Sequence, residues 1–470
     1  MKSKTSSRNR QKILFVMRST EYLHYYRTAI ISLLRRGNDL RLLCDKKWSE
    51  QSSLAVFDEL KKEFPNFSYG WAVPRADTWR NILFHTRELL SYRRYLVVRK
   101  NRQSTYYKER YLKYISPTMR FLLNVPGIKY AVGTRLCGSV LQGLERLAPA
   151  FSAICDDIRA YAPDVVIAAP VNLRFASADL EYLKSAKKMK IPTALPVLSW
   201  DNLTTKSLIH VFPDRLLVWN DVQQEEAQDH QKFPADKIRI VGASVFDSWF
   251  SRLTPSQTRE QFCAAHGLRP EDPIIAYLGS SGKMARDETW LVEALLSALQ
   301  KADDPRLHRA QIIVRPHPSN YINYERFKDV SGIAVIPKKG TLPDSHASLQ
   351  LFYDTLAHSI AAIDGANTSA IIDAIIAGSS GIAIVTDKYA PTQRETKHFN
   401  QLVDAGALYI AQGAEAIPAI ITKLMDGHDE RKENRAAFVR RYIRPRGLER
   451  QAGEWVADEV EKIMRPAAIV

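Results

Sequence analysis

SIAAIDGANTSAIIDAIIAGSSGIAIV, residues 359–385, is the stretch that decides the fold. An apolar run, Ser359–Ile363, reaches Asp364, and the small residues Gly365 and Ala366 follow. Asn367, Thr368 and Ser369 then stand where a helix begins; Ala370–Ala377 continues it, and Gly381–Val385 is a second short apolar run. Strand, capping loop, helix and strand in that order make a crossover unit. Parallel strands joined this way are covered on both faces and read as continuous apolar runs.

The same alternation extends upstream. Pro273–Leu278 (PIIAYL) reads as a strand ending in Gly279-Ser280-Ser281-Gly282, and Glu288–Lys301 as a helix. Gln311–Val314 is a strand that runs into Arg315-Pro316-His317-Pro318; Ile333–Ile336 is another strand, and Leu349–Ala357 a helix. Nearer the start, strands are predicted at Lys12–Arg18, Asp39–Cys44, Asp164–Ala169, Pro192–Leu198, Arg215–Trp219 and Ile238–Val241, with helices at Tyr25–Arg36, Phe151–Tyr161, Ala176–Met189 and Asp221–His230. A chain of 470 residues exceeds what one core sustains. The pattern therefore predicts an α/β protein of two doubly wound, Rossmann-like domains facing a cleft. Residues 1–250 form the first and 251–446 the second, divided at the polar stretch Ser251–Arg259. A last helix near Glu449–Met464, within 447–470, is expected to return to the first domain.

Composition is that of an ordinary globular protein, 45% hydrophobic and 25% charged. No apolar run is long enough for a membrane-spanning helix, and the basic start MKSKTSSRNRQK shows no cleavable signal pattern. Cys44, Cys137, Cys155 and Cys263 lie far apart without a C-x-x-C pair, which argues against a disulfide or zinc scaffold and fits a reducing cytosol. A net charge of +16 points to an anionic partner. Much of it is concentrated: Arg75–Arg146 holds 15 Lys/Arg against 4 Asp/Glu, with ten aromatic residues, among them Trp79, Tyr92, Tyr95, Tyr106, Tyr107, Tyr111, Tyr114, Phe121 and Tyr130. Leu89–Val97 repeats apolar residues at helical spacing. Residues 75–146 thus read as a basic helical insertion. Its basic face is either simply solvated or meets anionic lipid headgroups with its aromatics at the interface. No RNP, KH or zinc-knuckle pattern supports nucleic acid. A second cluster, Arg431–Arg446, reads as a solvated helix face.

In doubly wound folds ligands bind beyond the carboxyl ends of the strands. Three loops there are candidates for holding phosphate. Asn367, Thr368 and Ser369 open a helix whose free N–H groups attract anions, and Asp373, one turn on, suits ribose hydroxyls; ordinary N-capping is the alternative. Arg315-Pro316-His317-Pro318 is a stiff turn in which Arg315 can pair with phosphate and His317 can reach a base or phosphate; an incidental histidine in a rigid turn is the alternative. Gly279, Ser280, Ser281 and Gly282 form a small-residue loop that is not a Walker motif. The absence of G-x-G-x-x-G after the first strand counts against a dinucleotide enzyme, and the absence of D-x-D counts against a chelated metal.

Pro234–Asp247, PADKIRIVGASVFD, together with the RPHP turn and the Ser-led helix, resembles the GT-B glycosyltransferases. More narrowly it is similar to the branch of CDP-glycerol glycerophosphotransferases, capsule-type transferases and UDP-N-acetylglucosamine 2-epimerases. The likeness covers roughly residues 12–60 and 150–445. It implies that His317, Pro318, Thr368 and Ser369 hold the donor's diphosphate and that Asp373, usually a Glu in the family, binds ribose. The epimerases carry a second acid next to it. Position 374 is Ala, and Ser369-Ala370-Ile371 replaces their Ser-Gly-Gly turn, so epimerase chemistry fits less well.

Glycosyl transfer needs a base for the acceptor hydroxyl and positive charge for the leaving phosphate. The first domain offers Asp201, then His24 and Glu21, as bases. Trp200 beside Asp201 suits sugar stacking; Asn202, Lys206 and Arg18 complete the acceptor side. Capping is the alternative for Asp201. The expectation is a cytoplasmic transferase, peripheral on the inner membrane face, using a nucleotide sugar or CDP-polyol and no cofactor or metal. Its acceptor would be a saccharide or lipid-linked precursor of capsule or lipopolysaccharide. A nucleotide-sugar epimerase or hydrolase, and a non-catalytic membrane-surface protein of GT-B fold, are the alternatives.

Overall fold

The computed structural model describes residues 10–49, 54–97, 108–109, 111–112, 115–173 and 175–464. The chain divides into two units, residues 1–247 with 442–470, and residues 248–441.

The first unit is built on seven strands: β1 (Lys12–Met17), β2 (Asp39–Cys44), β3 (Phe67–Trp71), β4 (Val165–Ala169), β5 (Thr193–Pro196), β6 (Arg215–Val218) and β7 (Ile238–Ile240). All pair in parallel, in the order β3-β2-β1-β4-β5-β6-β7. From Ile13 to Met17, β1 is buried on both faces, as a strand with helices above and below must be. Helix α1 (Leu23–Arg35) crosses from β1 to β2 and ends at Gly37, which takes φ +87 as a left-handed stop. The C-terminal helix Ala452–Met464 packs on α1 and puts Val456, Ala457 and Val460 into the same core. Buried Asp247 anchors that return by accepting from the N–H groups of Ala452 (2.9 Å) and Gly453 (2.8 Å) and by pairing with Arg444 at 2.8 Å.

Between β3 and β4 lie the helices α2 (Trp79–Val97), α3 (Pro117–Asn124), α4 (Ile128–Gly133) and α5 (Arg135–Leu147). The expectation that the aromatics here form an interface is corrected for three of them, while Phe121 and Tyr130 are exposed. Tyr92, Tyr95 and Tyr111 are buried with Met119, Leu123, Val132 and Phe175 in a small core of their own. Tyr106, Tyr107 and Tyr114 fall outside the described residues. Several of the charges are also internal. Fully buried Arg87 bridges Glu145 (2.8 Å) and Glu181 (2.6 Å), while Lys184 reaches Glu145 at 2.9 Å and Arg75 reaches Glu181 at 2.8 Å. Glu181 and Lys184 belong to α6 (Ala178–Lys188), which follows β4, so this network pins the helical segment to the sheet layer. In the second basic cluster Lys432, Arg440, Arg441 and Arg446 are exposed as expected, but Arg435 and Arg444 are buried and held by Asp429 and Asp247, because desolvated guanidinium groups need carboxylate partners.

The second unit carries β8 (Ile274–Leu278), β9 (Gln311–Arg315), β10 (Ile333–Val335), β11 (Ala361–Asp364), β12 (Ser380–Val385) and β13 (Tyr409–Gln412). All are parallel, in the order β10-β9-β8-β11-β12-β13. Helix α7 (Thr289–Gln300) and the short helix α8 (Ala370–Ile376) follow β8 and β11. The two sheets share one strand order apart from the extra β7.

Candidate functional site

In the second sheet, chain direction across the sheet reverses between β8 and β11. The loops leaving β9, β8 and β11 therefore emerge side by side, beyond the carboxyl ends of adjacent parallel strands. These are the loops that hold Arg315–Pro318, Gly279–Gly282 and Asp364–Ser369.

The loop after β8 is held from below. The Gly279 N–H donates to the Arg315 carbonyl at 2.9 Å, and Asn320 Nδ2 donates to the Ser280 carbonyl at 3.2 Å. A side chain on residue 279 would put its Cβ 2.8 Å from the Tyr324 hydroxyl and 3.2 Å from the Arg315 carbonyl, so only glycine fits. Beneath it, the buried Glu288 carboxylate accepts from the Ser280 N–H, from Tyr324 at 2.9 Å and from Tyr277 at 3.1 Å. Burial raises the Glu288 pKa against those donors.

Arg315 ends β9 and is 4% exposed. Its guanidinium lies 4.1 Å over the Phe352 ring, and Nη2 donates to the Thr341 carbonyl at 2.8 Å. Among the described residues nothing hydrogen-bonds to Nη1. Burial pushes this guanidinium down to about 10, opposed by Asp373 and Asp344. His317 Nδ1 accepts from the Ser319 N–H at 3.1 Å, which places the proton of the neutral ring on Nε2. Burial and Lys283 lower its pKa, so the neutral ring persists near pH 7. The turn rests on Gly340, whose φ of +66 and 2.9 Å Cβ approach to the Pro318 nitrogen exclude other residues.

The loop after β11 differs from expectation. The N–H groups of Ala366 (3.1 Å), Asn367 (2.8 Å) and Thr368 (3.0 Å) all donate to Asp364 Oδ1, so they are not offered to a ligand. A carboxylate at the strand end claims the donors because it is nearer than any solute and already buried. Asn367 takes φ +75 and ties the loop to His398 through Nδ2 at 3.0 Å. Ser369 is exposed at the start of α8. Asp373 is not on an open face: it is buried, takes a hydrogen bond from the Trp249 indole and lies near Arg315. Desolvation lifts it to about 7 against both groups.

The first sheet reverses between β1 and β4. Arg18 leaves β1 buried, 4.1 Å over the Trp48 ring. His24 Nδ1 lies 2.7 Å from the Glu21 carbonyl, so Nδ1 donates and the lone pair of the neutral ring sits on Nε2. Asp201 and Lys206 come together at 3.1 Å, but Asp201 also accepts from Ser199 (2.6 Å) and Thr205 (2.7 Å), all within its own turn. Trp200 is half-buried, and Asn202 is buried with its carbonyl accepting from Asn172 at 3.0 Å. The sequence reading passed over Asp179, in the first turn of α6. It is fully buried near Arg18 and Ser177, with neither carboxylate oxygen well hydrogen-bonded among the described residues, and burial lifts it to about 6. Its only sequence signal was a carboxylate at a helix start, which any helix shows.

Solved structures with the same architecture are numerous. UDP-GlcNAc 2-epimerase from Methanocaldococcus jannaschii superposes with a TM-score of 0.54 at 12% identity, covering 96% of this chain and 100% of that one. A glycosyltransferase from Rickettsia africae gives 0.52 at 13%, covering 98% and 100%. The chain has the GT-B fold. UDP-GlcNAc 2-epimerase from Neisseria meningitidis, solved with UDP-GlcNAc bound, shares that GT-B architecture at a TM-score of 0.53 and 12% identity, over 96% and 100%. No protein-family model and no curated protein matches the chain. Both chemistries therefore occur on this fold, and the site residues must decide between them. Among the described residues, no group of three or more His, Cys, Asp or Glu side chains could hold a metal ion, and no helix is long and apolar enough to cross a membrane.

Proposed function

We propose that this GT-B chain transfers a sugar or polyol phosphate from a nucleotide-linked donor to a saccharide or lipid-linked acceptor. The acceptor class assigned is a precursor of a cell-surface polysaccharide such as capsule or lipopolysaccharide. The observation that carries the reading is Arg315, a buried cation with an unused Nη1 at the point where the second sheet reverses. A desolvated guanidinium with an unmade bond is costly alone and is offset by an anionic ligand.

In this reading Arg315 offsets the charge of the leaving diphosphate and the neutral His317 ring donates to it from Nε2–H, with the hydroxyls of Ser280, Ser281, Thr368 and Ser369 beside them. Pro318 stiffens the turn, Gly279 permits close approach, and Asn367 shapes the third loop. Asp373 acts on the donor through Arg315. Acceptor activation belongs to the first unit. Asp201, His24 and Glu21 are the candidate bases; the Asp201 carboxylate is held by Ser199, Thr205 and Lys206, and His24 Nδ1 by the Glu21 carbonyl. In such a transfer the acceptor O–H proton passes to the base, the oxygen bonds to the donor carbon (or phosphorus), and the nucleotide leaves with the electron pair of the broken bond. Glu21 orients His24, and Arg18, Trp200, Asn202 and Lys206 line the acceptor side. These groups supply the charge without a resident metal, so turnover is expected to persist in EDTA.

Calorimetry against UDP-, CDP-, GDP- and CMP-linked donors tests the reading; the absence of binding to all of them ends it. A 2-epimerase is the second reading, favoured by its recurrence among the similar structures and disfavoured by Ala374. Donor consumed with no acceptor present, followed by NMR, would select it.

A further inference from the structure

We propose that the outward face of α3, α4 and α5 docks on an anionic lipid bilayer. Each helix buries one apolar face inward, through Met119 and Leu123, Val132, and Leu141. Two of them carry a second apolar stripe on the opposite side. On α5, Leu136, Val140 and Leu147 fall within about 40° of one another at helical spacing, opposite the buried face of Gly138, Leu141 and Glu145. On α3, Phe121 and the capping residue Val125 are about 40° apart and opposite Leu123, with exposed Leu122 further round the helix. Phe121 is 73% exposed, Tyr130 82%, Leu136 76% and Leu147 78%. Single exposed apolar residues are ordinary; two stripes and a tyrosine within about 30 residues are not.

Charge chooses the occupant. From residue 115 to 147 the only acid is Glu145, and it is buried against Arg87 and Lys184. Arg120, Lys129, Arg135 and Arg146 are all exposed. An apolar face set among cations, with no exposed acid, fits the boundary where acyl chains meet anionic headgroups. A second copy of the same face would set these cations against one another. This deepens the proposed function, since it names where the chain meets the membrane bearing a lipid-linked acceptor. Vesicle binding is read without donor, so either proposal can fail alone.

The test is sedimentation of the full chain with vesicles of phosphatidylcholine alone or mixed with phosphatidylglycerol. Binding to the mixed vesicles is expected, at least about 10-fold weaker to phosphatidylcholine alone, and weakened by salt. Leu136→Glu with Leu147→Glu, both at exposed positions, should keep the thermal midpoint and lose vesicle binding at least about 10-fold. Arg135→Glu with Arg146→Glu should abolish the preference for the anionic lipid. No binding by the wild type, or equal binding by wild type and the leucine variant, overturns the proposal. A dimer in light scattering that the leucine variant dissolves, without vesicle binding, overturns it in favour of a second copy.

Discussion

Asp364 and Asp179 both follow the reversal of strand order in their sheets, Asp364 as the last residue of β11 and Asp179 in the first turn of α6, the helix after β4, and they are treated differently. Both are fully buried. Asp364 accepts three backbone N–H groups and shapes the loop in front of it. Asp179 shapes nothing comparable, since neither of its oxygens has a well-formed partner among the described residues. Burial lifts Asp364 to about 7 and Asp179 to about 6. The lesson is that one buried carboxylate is a structural strut and the other a strained charge, a distinction that depends on donors rather than on burial.

The largest effect should come from removing the strut. Asp364→Ala leaves three buried donors without an acceptor and is expected to cost roughly 4 kcal/mol of second-unit stability in urea titration. A loss below about 1 kcal/mol would show that the loop holds itself. Asp364→Asn tests the pH side. The folded value of about 7 lies above the ordinary carboxylate value near 4. Between those values the folded state keeps a proton that the unfolded chain has released, so stability falls as pH rises through the window. The neighbouring Glu288 and Asp373, both also raised, add to the slope. The Asn variant should flatten it, and an unchanged slope would assign it to those neighbours.

Next comes Arg315→Ala, expected to weaken donor binding about 100-fold, near 2.7 kcal/mol, in calorimetry. Arg315→Lys should recover only part, because an ammonium cannot keep the Thr341 bond and also present Nη1. Gly279→Ala is expected to cost about 2 kcal/mol in thermal or urea unfolding, since its Cβ meets the Tyr324 hydroxyl and a backbone carbonyl rather than open space. The smallest effect is on the other side of the comparison. Asp179→Asn should raise stability by about 1 kcal/mol at pH 8, where a poorly compensated buried charge is removed, and by nothing below about pH 3, where the wild type is protonated in both states. A loss of stability at pH 8 would mean that Asp179 is a strut after all.

Much of the fold was legible because buried parallel strands read as apolar runs. Lys12–Met17, Asp39–Cys44 and Ile274–Leu278 stand out in this way. The edge strands Phe67–Trp71 (FSYGW) and Tyr409–Gln412 (YIAQ) were missed, since an edge strand buries less and needs no such run. The phosphate-loop candidates were visible as small, stiff or capping residues after strands. Gly340 and Glu288 were not, because they lie far along the chain from the loops they support. In the helical segment the charge count was plain, but Tyr92, Tyr95 and Tyr111 are its core, while Phe121 and Tyr130 are exposed.

Local pattern by itself determined the alternation of strands and helices, the two-fold repeat of a doubly wound plan, and which loops are candidates for the site. Those follow from periodicity and from turn residues, which act over a few neighbours. Only the tertiary structure decided which charges are partnered. Asp364 silences the N–H groups of its loop, Arg315 keeps one bond unmade, and α3 and α5 turn a second apolar face outward. Each of these depends on which distant groups are brought within hydrogen-bond distance and which are left to solvent, and no local periodicity carries that information.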